Sequence, residues 1–257
     1  MKTKLGTPAF FCIVALLSGC TPGDVPAPHA KEPAEEVDPG RPAQTAVPPS
    51  AQHALGRADT DIAATTSWDA EVRRMPKEDA AYLQAIKERY FGAVAYENEQ
   101  ERRQLEDAGF PSMEEWRQTR MMSDSELQRW AETGDGKAMA FYVDRMMERA
   151  APYLHLRGAD DAAYNASPGA GYVLKAYAYS TQVQFAHRSP FTGYLLGAVF
   201  STLAYPQSPE SAAAGMMAAR DAGDPRAEAL LAAYGARHPD MNQETVLAAH
   251  RAMKIPE

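Results

Sequence analysis

From Trp68 onward the apolar residues recur at spacings of three and four, and nowhere do they alternate as in a half-buried strand. Ala, Glu, Arg, Met and Leu dominate, while Val and Ile are few, a composition that favours helix. The pattern predicts helices near 77–90, 93–108, 112–119, 124–133, 136–150, 170–186, 190–204, 209–221, 225–236 and 242–253. Start signals agree with it. Ser112-Met113-Glu114-Glu115 and Ser123-Asp124-Ser125-Glu126 read as capping boxes, and Asp240-Met241-Asn242-Gln243 as another. Ser189-Pro190, Ser208-Pro209 and Asp224-Pro225 each place a capping residue before a proline at the first helical position. Gly109, Gly134, Gly158 and Gly223 follow helical runs as stops. Short helices with short connections predict an all-α fold of antiparallel hairpins stacked side by side.

Two stretches look alike. Gly134-Asp135-x-x-Ala138 superposes on Gly223-Asp224-x-x-Ala227, each with a helix, a terminal Gly, a capping Asp and a small Ala one turn on. Gly193-Tyr194-Leu195-Leu196-Gly197 reads as part of a more degenerate unit. Residues 124–253 thereby resemble the SEL-one-like repeat family, relatives of the tetratricopeptide repeats, whose pattern is close to A-x-x-G-D-x-x-A-x-x-x-L-G-x-x-Y. Ala131, Gly134, Asp135 and Ala138 match in one unit, and Gly223, Asp224, Ala227 and Leu231 in the other. The chain departs at Arg220 where the first unit has Ala131, at Tyr142 in the Leu place, and at Val143 and Ala232 in the following Gly place. Met146 and Gly235 hold the final Tyr place. The resemblance implies a short curved solenoid that binds proteins on its concave face, as a scaffold, an adaptor or a toxin-immunity protein. Residues 67–123 would then be an N-terminal helical cap, and 124–257 the repeat region.

The N-terminus reads differently. Lys2 and Lys4 precede a mostly apolar run from Leu5 to Leu17, too short for the roughly 20 residues that span a bilayer but suited to a secretory signal. It ends Leu17-Ser18-Gly19-Cys20, which resembles a bacterial lipobox. The resemblance implies a signal peptide at 1–19, cleavage between Gly19 and Cys20, and a thioether-linked diacylglycerol with a further acyl chain on Cys20. Two or more chains give stable anchoring. Thr21 stands where an Asp would signal inner-membrane retention, so the expected place is the outer membrane, facing the periplasm. The two cysteines are Cys12 and Cys20. One leaves with the signal and the other is blocked, so no disulfide and no thiolate metal ligand is expected. Between 20 and 66 the chain is rich in Pro and Ala and lacks Phe, Tyr and Trp. Such a segment cannot offset its ordering entropy and reads as a disordered linker that lifts the domain off the membrane.

Charge narrows the partners. The chain carries −8, and loss of the two lysines with the signal takes this to −10. An acidic surface repels phosphate backbones, so no nucleic acid is expected. No polybasic stretch adds to the lipid anchor. Of the six histidines, His29 and His53 fall in the linker, and His155, His187, His238 and His250 stand apart, with no zinc-protease motif. No P-loop, dinucleotide fingerprint or nucleophile elbow appears, so neither a cofactor nor a metal is implied. Glu97 and Glu101 share a helical face and would suit cleavage of cell-wall glycans if they met in a cleft. The plainer reading is a solvated face with an ion pair from Glu99 to Arg103. Asp160-Asp161 reads as a helix cap before it reads as a cation site.

Tyrosine is the most suggestive residue. Tyr164, Tyr172, Tyr177, Tyr179, Tyr194 and Tyr205 crowd the middle of the chain near Phe185, His187 and Arg188. Tyr and Arg are enriched at interface hot spots because they join apolar area to a polar tip. The expected partner groove is therefore Tyr172, Tyr179, His187, Arg188, Tyr194 and Tyr205, with an envelope protein as the partner. A glycan hydrolase and a purely structural lipoprotein are the alternatives. Inter-repeat core is the competing role for the same rings.

Overall fold

The computed structural model describes residues 66–253 apart from Pro206. The expected signal, its cleavage site at Gly19 and Cys20, and the expected linker through residue 65 lie outside the described residues, as do 254–257 and the side chain of Phe185. Every regular element among the described residues is helical. In chain order these are α1 (Trp68–Val72), α2 (Lys77–Arg89), α3 (Glu99–Asp107), α4 (Met113–Arg120), α5 (Asp124–Ala131), α6 (Gly136–Ala150), a 3-10 segment (Ala151–Leu156), α7 (Asp161–Ala166), α8 (Pro168–Ala186), α9 (Pro190–Leu203), α10 (Pro209–Asp221), α11 (Ala227–Arg237) and α12 (Gln243–Met253). None is long and apolar enough to cross a membrane.

Local chemistry sets most of the boundaries. Ser112 and Ser123 both form complete capping boxes, with Glu115 and Glu126 reaching back to the cap N–H. Asp135 accepts from Ala138 N at 2.8 Å and starts α6. Gly109, Gly134, Gly158 and Gly223 all take the left-handed backbone that ends a helix. Several expectations change, among them the start of α11, which begins at Ala227 after Arg226 with no side-chain cap rather than at Pro225 after Asp224. Residues 93–98 are not helical, because Phe91 and Gly92 both have positive φ and break the chain after α2. The start of α12 is capped by Asn242, which accepts from Thr245 N at 3.0 Å, and not by Asp240. Residues 151–166, between the predicted helices 136–150 and 170–186, hold the 3-10 segment and α7.

The core is built around α9 and α10. Every residue of α9 from Pro190 to Val199 is buried. The helices cross at bare backbone: a Cβ on Gly215 would stand 2.4 Å from Gly197 Cα, and one on Gly193 2.4 Å from Ala219 N. Gly193 and Gly197, expected to mark a weak repeat unit, thus mark a close crossing that only glycine permits. Around this pair the rings of Tyr90, Trp116 and Phe191 stack tilted or edge-on, Tyr90 5.7 Å from Trp116 and 5.1 Å from Phe191. Trp116 continues the cluster to Phe141 at 4.7 Å. The expected cap (67–123) and repeat region (124–257) therefore share one core.

Two buried carboxylates are satisfied within that core. Asp144 accepts from Tyr90 Oη at 2.9 Å and lies 2.5 Å from Arg89. Asp224 accepts from Tyr194 Oη at 2.9 Å and from Arg226 N at 2.9 Å. Arg226 then joins the last hairpin to the first part of the domain, donating to Ala93 O at 2.7 Å and Ala95 O at 2.8 Å. Beside it, Phe91 meets Tyr234 edge-on at 5.5 Å. Arg226 and Phe91 thus join the segment after α2 to α11.

Candidate interaction surface

Helix α8 has one charged residue, Lys175, in 19. Its inward stripe is Val173, Ala176, Ser180 and Val183, all buried at helical spacing. The opposite side presents Gly171, Leu174, Lys175, Ala178, Thr181 and Gln182 to solvent. Leu174 is 70% exposed.

Tyrosines bound this solvent side on both edges. On one edge Tyr179 meets Tyr142 edge-on at 4.8 Å, and Tyr142 Oη donates to Gln128 Oε1 at 3.0 Å. Burial pushes the Tyr179 hydroxyl up, helped by the Glu132 carboxylate. Tyr172 lies half-buried about two turns earlier along the same edge, near Arg149. His187, just past the helix end, places Nε2 2.8 Å from Gly134 O. Its ring covers the turn so closely that a Cβ on Gly136 would come within 2.7 Å of it.

On the other edge Tyr177 stacks on Phe200 at 5.2 Å. Burial pushes its hydroxyl up to about 12, against a smaller opposing pull from Arg157. The Arg157 guanidinium sits over the rings of Tyr164 at 5.2 Å and Tyr205 at 6.0 Å, and donates to Leu203 O. Such cation–π contacts are worth about 0.5–1 kcal/mol at exposed sites. Tyr205 is 60% exposed and its ring closes over the left-handed Gly158.

The structure therefore divides the six expected groove residues. Tyr172, Tyr179 and His187 share one edge of α8, Tyr205 stands on the other, and Arg188 is exposed in the connection to α9. Tyr194 is a correction: it is wholly buried, with its hydroxyl given to Asp224, and reaches no surface. Arg157, Leu174 and Phe200 were missed. The signal for Leu174 was the helical period itself, since Val173, Ala176, Ser180 and Val183 claim the inward stripe and leave position 174 outside.

The carboxylates proposed for glycan chemistry do not form a pair. Glu101 accepts from Glu97 N at 2.8 Å, a capping contact, and its other oxygen lies 3.3 Å from Arg226. Glu97 is exposed. Glu99 is bound by Arg102 at 2.7 Å and Arg103 at 2.8 Å, and the Arg102 and Arg103 hydrogen bonds hold its carboxyl down to about 2. Glu101 and Asp224 do line a cavity of about 330 Å³ beside Phe110 and Arg226. Both carboxylates are spent on Arg226, whose five N–H groups all find acceptors. Asp160 caps α7 through Ala163 N at 2.9 Å, and Asp161 accepts from Gly158 N at 2.9 Å.

Comparison with family models, with curated proteins and with solved structures finds no match. The reading of this surface therefore rests on its own chemistry.

Proposed function

We propose that this chain is a bacterial envelope lipoprotein, anchored through Cys20, whose helical domain binds a protein partner along α8. The observation that carries the reading is the solvent side of α8. It holds an exposed Leu174 and small residues between two edges of tyrosine rings, with a single charge among them. Desolvating such a strip costs little. The flanking rings are already held by Tyr142, Phe200 and Arg157, so few rotamers are lost on binding. Large amphipathic side chains in fixed positions are what anchor most protein interfaces. Anchoring to a membrane would concentrate the domain where an envelope partner is found.

Capture from envelope extract tests this. The bait is the full chain with Cys20→Ser, which prevents lipidation, beside the same bait carrying Tyr172→Ala, Arg188→Ala and Tyr205→Ala. A single stoichiometric partner, lost with the triple substitution, is the expected result. A folded bait that captures nothing overturns the reading.

A further inference from the structure

The charge around α8 is lopsided. Between Ala162 and Pro209 the sequence has no Asp or Glu, in a chain whose net charge is −8. The charged residues there are Lys175 and Arg188, both exposed. Arg157 joins them beside Tyr177 and Tyr205. Several cations elsewhere are committed: Arg89, Arg145, Arg149 and Arg226 each have a carboxylate within ion-pair distance. Arg157, Lys175 and Arg188 have none among the described residues. Lys175 sits in the first half of a helix that spans roughly 28 Å at 1.5 Å per residue, and Arg188 lies just beyond its end.

Three occupants compete for such a face. A second copy pairing α8 with α8 about a two-fold axis would bring the same cations towards one another, which costs free energy. A bilayer would find little to bury, because Gly171 and Ala178 are small, Thr181 and Gln182 are polar, and only Leu174 and Tyr205 stand well out. An acidic stretch of polypeptide fits both properties. The small residues let another backbone approach closely, and the uncommitted cations receive its carboxylates.

We propose that the α8 face takes an acidic segment of the protein partner, its carboxylates meeting Lys175, Arg188 and Arg157 and its backbone lying over Gly171 and Ala178. This rests on the partner-binding reading above and names the chemistry of the partner. The chain as a whole is acidic, so it repels such a partner at long range. The attraction acts at contact, within a Debye length of about 8 Å at physiological salt.

The test uses the full chain with Cys20→Ser and a photoreactive benzophenone side chain at position 178, irradiated in envelope extract. The cross-linked peptide is then sequenced by mass spectrometry. Capture is compared at low salt, at high salt, and with Lys175→Glu plus Arg188→Glu, with the exposed Arg73→Glu as the control. The proposal expects a cross-linked peptide with a clear excess of Asp and Glu. It also expects at least a tenfold fall in capture on charge reversal and at high salt, with no change for Arg73→Glu. Capture that survives charge reversal, or a cross-linked peptide without that excess, overturns the acidic-segment proposal and leaves partner binding standing. No capture by a bait with native helical circular dichroism overturns both. Flotation of that bait with phosphatidylglycerol vesicles, in the absence of any captured protein, would assign the face to the bilayer and likewise overturn the proposal.

Discussion

Arg226 donates from Nη2 to the carbonyl of Ala93 at 2.7 Å, across 133 residues of sequence. The same guanidinium lies 5.5 Å over the ring of Phe110 and pairs with the buried Asp224. One side chain thus ties the segment after α2 to the start of α11.

Replacing Arg226 with Met keeps the apolar stem but strands Asp224, which is 4% exposed, without its cation. Breaking a buried pair from one side costs about 3–5 kcal/mol. Urea unfolding of Arg226→Met should show a loss of that size, and Arg226→Lys should recover only part of it because an ammonium cannot serve both carbonyls and Asp224.

The crossing of α9 and α10 makes a sharper test of packing. Gly215→Ala would force a Cβ to within 2.4 Å of Gly197 Cα, a backbone atom that cannot step aside. Overpacking of this kind costs about 1–3 kcal/mol. Gly171→Ala on the solvent side of α8 meets nothing within 4 Å and should stabilise the helix by about 0.5–1 kcal/mol. Thermal unfolding should move in opposite directions for the two variants.

Tyr194 and Tyr205 separate stability from binding. Tyr194→Phe removes a hydrogen bond from the buried Asp224 and should cost about 1–3 kcal/mol, with capture of the partner unchanged. Tyr205→Ala should weaken capture and leave the urea midpoint nearly where it was, because that ring is 60% exposed.

Acid should weaken the α4–α6 region through Asp124. Burial raises its pKa, but hydrogen bonds from Arg149 and Arg145 outweigh burial and hold the carboxyl below its ordinary value. A depressed folded value means that the stabilisation is complete above the unfolded value of 3.8 and is lost as pH falls through the folded one. Asp124→Asn should therefore lower stability at neutral pH and flatten the acid limb of the stability profile. Parallel pH titrations of urea midpoints for both proteins measure this, and an unchanged acid limb would contradict it.

Much of the helical order was legible because its causes are local. Ser112 finds Glu115 and Ser123 finds Glu126 within one turn, and Gly134 and Gly223 need only their own φ to end a helix. What stayed hidden depends on distant residues. Nothing near Tyr194 in sequence announces Asp224, thirty positions on, so a core tyrosine and a surface one read alike. The glycines of α9 looked like repeat punctuation until Gly215 was found against them. The contact through Arg226 joins segments that no local pattern relates. The surface itself was half legible: the tyrosine-rich stretch was visible, but its division into two edges of α8, with Leu174 between them, follows from which side of the helix the core occupies.

The central claim is that α8 is a binding face, and one substitution addresses it most directly. Leu174 is 70% exposed, so Leu174→Asp places a charge at the middle of the strip without disturbing the core. Quantitative capture from envelope extract, with the urea midpoint measured on the same protein, is the measurement. The account predicts at least about a tenfold fall in captured partner, the scale of an interface hot spot, with an unchanged midpoint. Full capture by Leu174→Asp would contradict it.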